Sequence, residues 1–155
     1  MMTPGLSITV VDPDDDYLGI EIHAQSQRFA ATTFIYAGFS DLTQFADQIA
    51  GFPAGPRDER RWEFGHRDPG FAGGFCGLRF HCLNRAGHAA LAVSIVDKDR
   101  RHDAANADFT FQVEAADIDR FVAQLRVVER DRAGAAVLQG AGWDEGLPET
   151  DAQVR

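Results

Sequence analysis

Two cysteines and five histidines are the residues best suited to holding a metal or forming a bond to substrate, and their spacing argues against a site. Cys76 and Cys82 lie six residues apart in a run of alternating apolar residues, so an extended chain sets them roughly 20 Å apart. Neither a disulfide nor a single zinc ion bridges that distance. His81 projects from the opposite face, and no CxxC or HxxxH pair occurs. Both thiols are expected to be small core residues. Asp12, Asp14 and Asp16 have the alternate spacing of a calcium loop, but Tyr17 stands where the loop needs glycine and His23 where it needs the closing glutamate. A solvated turn is the expectation. None of Ser7, Ser26, Ser40 and Ser94 sits in a GxSxG elbow, and the glycine-rich Pro69–Phe75 leads into a strand rather than a helix, the wrong order for phosphate binding. No catalytic residue, metal or cofactor is therefore assigned.

Two surfaces remain as candidates for binding. One sheet face would carry Tyr17, Phe34 and Tyr36 with Glu21 and His23 beside them; the sequence leaves open whether this face is a second core layer or an exposed aromatic platform. The segment Arg57–Arg67 mixes arginines with Trp62 and Phe64, a composition found in protein contacts, and Arg60 and Trp62 are its candidates. An edge strand whose charges prevent association is the simpler reading of the same residues.

The elements that must position these residues follow from periodicity. Ser7–Val11 reads as a strand. In Leu18–Ala24, alternation of Leu18, Ile20, Ile22 and Ala24 predicts another. A hairpin through Gln25–Gln27 to Phe29–Ala37 would set Phe29, Ala31, Thr33 and Ile35 opposite Ala24, Ile22, Ile20 and Leu18. Ser40 is the expected N-cap of a helix with Leu42, Phe45, Ala46 and Ile49 on its apolar face, ending at Gly51. A short strand near Trp62–Phe64 precedes the central hairpin, Phe75–Leu83 and His88–Val96, whose turn pairs Cys82 with Ala89, Phe80 with Leu91, Leu78 with Val93 and Cys76 with Ile95. A charged loop, Asp97–Asp103, leads to the strand Ala107–Glu114 and a helix over Ala116–Val128. The two helices align without a gap, Asp41–Ile49 on Asp117–Leu125, which suggests two strand-then-helix units in related places.

Composition sets the frame. The 155 residues are 45% hydrophobic and include 12 Phe, enough for one core. The expected fold is α+β: a mainly antiparallel meander of about six to seven strands with two short amphipathic helices, residues 1–129 forming a single domain and 130–155 a loosely ordered tail in which Trp143 could dock. No long apolar run or signal-like start is present, which predicts a cytoplasmic protein without a membrane partner. A net charge of -9 opposes nucleic-acid binding, which needs a basic face, and favours a basic partner. The oligomeric state is left open.

The strand and helix from Phe34 to Ile49, together with Trp62, and the segment Phe109-Thr110-Phe111-Gln112-Val113-Glu114 followed by Ile118, Phe121 and Leu125, resemble several small bacterial families of unknown function. Immunity proteins of polymorphic toxin systems are among them. The resemblance covers most of residues 18–128, rests on hydrophobic pattern, and carries over no catalytic residue. It implies a non-enzymatic binding protein, in its sharpest form one that neutralises a basic toxin. The alternative is a small-molecule binder or enzyme using a pocket on the aromatic sheet face.

Overall fold

The computed structural model describes residues 2–86, 88–98 and 104–141. Its elements run β1 (Gly5–Pro13), β2 (Leu18–Gln25), β3 (Ala30–Ala37), α1 (Asp41–Ile49), β4 (Glu59–Gly65), β5 (Phe75–Cys82), β6 (Ala89–Asp97), β7 (Ala105–Val113), α2 (Ala115–Asp131) and β8 (Ala135–Gln139). The fold is α+β and antiparallel throughout, as the alternation predicts. The described residues form eight strands rather than six or seven, in two four-stranded sheets ordered β3-β2-β1-β8 and β4-β5-β6-β7. No helix among the described residues is long and apolar enough to cross a membrane.

Chain order and strand order together reveal an internal two-fold repeat. Three strands, a helix and a strand (β1-β2-β3-α1-β4) are followed by the same succession (β5-β6-β7-α2-β8). In each half the three-strand meander keeps to its own sheet, while the last strand crosses to the other half's sheet. The aligned helices expose the same logic: Leu42, Phe45 and Ile49 correspond to Ile118, Phe121 and Leu125, and all six are fully buried. Phe45 and Phe121 meet edge to face with ring centroids 5.8 Å apart. Glu129 ties the helices further, accepting hydrogen bonds from the Thr43 hydroxyl and backbone N–H.

One apolar core joins both sheets and both helices. Phe45 is central to it, touching Trp62, Phe64 and Phe80 as well as Phe121. The sheets meet at the edge of β3. There the Gly74 N–H donates to the Phe34 carbonyl at 2.8 Å, and the Thr33 hydroxyl lies 3.3 Å from the Val96 carbonyl and 3.2 Å from the Asp97 carboxylate. A Cβ on Gly74 would fall 1.8 Å from Thr33 Oγ1, so only glycine permits this approach. The glycine-rich stretch is thus a joint between sheets.

The central hairpin has the expected register, residue for residue; Gly87 of its turn lies outside the described residues. The β2–β3 hairpin is displaced by two residues, with Ala24 opposite Ala31 and Leu18 opposite Ala37. Its loop is longer than Gln25–Gln27: the Ser26 N–H donates to the Phe29 carbonyl, and the Ser26 hydroxyl accepts from the N–H groups of Arg28 and Phe29. A shift of two preserves the face of every side chain. Ser40 makes no side-chain cap; Asp41 instead fastens the preceding turn by accepting the Gly38 N–H at 2.8 Å.

The expected tail from residue 130 is not loose at its start. The helix continues to Asp131, and Ala135–Gln139 adds β8 to β1, burying Ala136 and Leu138. The chain turns between them at Arg132, whose φ is 53°, and at Gly134, whose φ is 92°. Gln124 covers the outer side of β8 by accepting the Val137 N–H. Trp143 and residues 99–103 of the charged loop lie outside the described residues.

Candidate functional site

Alternation within β2 and β3 sends Gly19, Glu21 and His23 to the solvent side of the first sheet, opposite Tyr36, Phe34 and Thr32 respectively. Gly19 makes room for aromatic rings there, since a Cβ at that position would lie 2.9 Å from Phe34 Cζ and 2.8 Å from Asp12 Cβ. Tyr36 stands between Tyr17 and Phe34, edge to face with both, at centroid distances of 4.9 and 4.8 Å. Tyr17 and Phe34 are half-buried, and Tyr36 is 48% exposed. The aromatic face is therefore an exposed platform and not a second core layer.

Carboxylates border this platform. The Tyr17 hydroxyl donates to Asp12 at 2.8 Å, and that bond, with burial and the charges of Asp12 and Asp14, pushes the phenol up to about 12. Asp14 accepts the Asp16 N–H, shaping the turn, while Arg132 donates to the Asp14 carbonyl and stacks on Phe39. Asp15, Asp16 and Glu21 are exposed. His23 is engaged at both ring nitrogens, Nδ1 with the Thr32 hydroxyl at 2.8 Å and Nε2 with Gln25 Oε1 at 3.1 Å. Gln25 in turn donates to the Thr3 carbonyl, so its Oε1 is left as the acceptor and the neutral ring carries its proton on Nε2. That arrangement anchors the ring rather than presenting a free base.

Arg60 and Trp62 lie elsewhere. In β4 they point with Phe64 toward the core side, where Trp62 packs on Phe45 and Phe64. Arg60 donates to the carbonyls of Gln48 and Ala50, closing the end of α1, and is held by a bidentate pair with Asp58 at 3.0 and 2.8 Å. Of the seven candidates, five share the platform and these two belong to the frame that joins α1 to the second sheet.

Cys76 is fully buried, and burial pushes its thiol up to about 12. Cys82 is half-buried and its Sγ–H donates to the Gly55 carbonyl. Among the described residues no cluster of His, Cys, Asp and Glu has the geometry to hold a metal ion.

No family model matches this chain, and neither a curated protein nor a solved structure does. What it does must be argued from its own surfaces.

A second surface escaped the sequence reading. The solvent side of the second sheet has an open hollow of about 280 Å³, floored by Gly77, Ala92 and Ser94 and walled by Arg67, Arg79 and Asp108. The outward direction of Gly77 and Arg79 is legible in the hairpin pattern. The approach of Arg67 and Asp108 is not, because it depends on β4 pairing with β5 and β7 with β6.

Proposed function

We propose that this chain is a non-enzymatic binding protein whose partner is a basic protein, and that in its sharpest form it is an immunity protein that neutralises a basic toxin. The observation that carries this reading is the platform itself: Tyr36, held between two rings and open to solvent, beside the acidic turn Asp12–Asp16. Rigid aromatic anchors lose little side-chain freedom on binding and dominate contact energetics, while surrounding charges select the partner and speed encounter. The net charge of -9 adds long-range attraction for a cationic surface. Resemblance in hydrophobic pattern to immunity-type families points the same way.

The small-molecule alternative on this face has less support, because His23 is committed at both nitrogens and Tyr36 is exposed rather than enclosed. The test is affinity capture from the native organism, followed by calorimetry with the captured protein. A basic partner whose affinity drops about tenfold or more with Tyr36→Ala supports the proposal. An acidic partner, or one indifferent to Tyr36→Ala, overturns it.

A further inference from the structure

The hollow on the second sheet is built from two cross-strand rows. Arg61, Arg79, Ala92 and Thr110 form one; Glu63, Gly77, Ser94 and Asp108 form the next. Gly77 and Ser94 at the centre of the second row, with Ala92 in the first, keep the floor low among longer side chains. Phe75 folds its ring over Gly77, where a Cβ would come within 3.1 Å of it. On that ring the Arg67 guanidinium is stacked, 4.2 Å from the centroid, with one N–H donating to the Ser94 hydroxyl at 3.0 Å. Arg67 is thereby fixed in place with donors to spare, the condition that lowers the entropic cost of gripping an anion.

Arg79 faces the same space. Its contact with Glu59 is loose, at 3.6 Å, because Glu59 is already paired with Arg61 at 2.7 Å. Both guanidinium groups thus line the hollow, Arg67 beside Ser94 and Arg79 on the side toward Glu59. The flanking carboxylates decide the class of anion. Glu63 and Asp108 occupy the ends of the second row, so a dianionic phosphate gains two arginines but meets two like charges. A monocarboxylate, with half the charge, meets a smaller repulsion, and an amine or hydroxyl on the same molecule has Asp108 and the Thr110 hydroxyl as acceptors. The volume, at the small end of the range for ligand sites, suits an amino acid or dipeptide.

We infer that this hollow is a binding site for a small monocarboxylate carrying a hydrogen-bond donor, with Arg67 and Arg79 holding the carboxylate and Asp108 the donor. The site is on the opposite sheet from Tyr36 and does not rest on the proposed function. Its test is a two-dimensional amide NMR titration at constant ionic strength with glycylglycine, acetate and inorganic phosphate as separate probes. Saturable shifts at Gly77, Ala92, Ser94 and Asp108, strongest for glycylglycine and weakest for phosphate, are expected. Arg67→Gln and Arg79→Gln each weaken binding about tenfold or more, as loss of a charge-assisted hydrogen bond does. Asp108→Asn removes the preference for glycylglycine over acetate. Tyr36→Ala and the remote Arg28→Gln leave the titration unchanged. Thermal unfolding of each variant separates lost binding from lost structure. Absence of saturable shifts, a response equal to that from sodium chloride, phosphate preferred over acetate, or binding retained in folded Arg67→Gln overturns the assignment.

Discussion

Tyr17 couples the platform to its acidic turn, and its hydroxyl reports on that coupling. Ionising it would set a phenolate against the Asp12 carboxylate, which is why the folded chain pushes this phenol up to about 12 from its ordinary 10.0. The hydrogen bond therefore stabilises the fold fully below pH 10 and loses its contribution as pH rises toward 12. In a Tyr36→Phe background, phenolate absorbance should develop near pH 12, and Asp12→Asn should bring it down toward the ordinary value. A midpoint near 10 with Asp12 intact would contradict the bond. Cys76 gives a second residue-scale expectation. Its buried thiol, raised to about 12 from 9.0, should resist iodoacetamide in the native protein and react only on unfolding, with mass spectrometry assigning the modified position. Alkylation of Cys76 in folded protein at neutral pH would show that the core opens there.

Among the elements, the link from α1 to β4 depends on Arg60. Its guanidinium closes two carbonyls at the end of α1 and holds the Asp58 carboxyl below its ordinary 3.8, an effect reinforced by the Ala54 N–H. That contribution is present above pH 3.8 and is lost as pH falls through the lowered value. Arg60→Ala should cost about 2 kcal/mol in urea denaturation, because it frees a largely buried carboxylate and two carbonyls at once. Arg60→Lys should recover only part, having a charge but no planar fork. An unchanged midpoint in Arg60→Ala would mean the link is held by other contacts. The same element shows where sequence reading stops. The central hairpin was legible to the residue because two alternating strands and a short turn admit one register. The β2–β3 pairing slipped by two because the turn is centred one residue later than expected, between Gln27 and Arg28, where the Ser26 hydroxyl holds the Arg28 and Phe29 N–H groups. Arg60 and Trp62 turn with Phe64 toward the core side because the direction of β4 depends on its partner β5, and no local pattern reveals that.

At the scale of the whole molecule, the two-fold repeat was partly visible. The gapless match of Asp41–Ile49 with Asp117–Leu125 shows equivalent helices, but the pairing of β8 with β1 joins residues more than a hundred positions apart and leaves no local mark. Ala135–Gln139 in particular is short and alanine-rich, so its strand character comes from the open edge of β1 rather than from propensity. The repeat converges on Phe45 and Phe121. Phe45→Ala, which empties a site between both helices and the second sheet, should destabilise by about 3–5 kcal/mol, and a cost below about 1 kcal/mol would place the centre of the core elsewhere.

The arrangement leaves each sheet one solvent face, and the first of these carries the aromatic platform. Mapping amide chemical shifts of the labelled chain as the captured basic protein is added tests that assignment most directly. Changes should concentrate at Asp12–Glu21 and Phe34–Tyr36 and leave Gly77, Ala92 and Ser94 undisturbed. A footprint confined to the second sheet or to the helices would contradict the account.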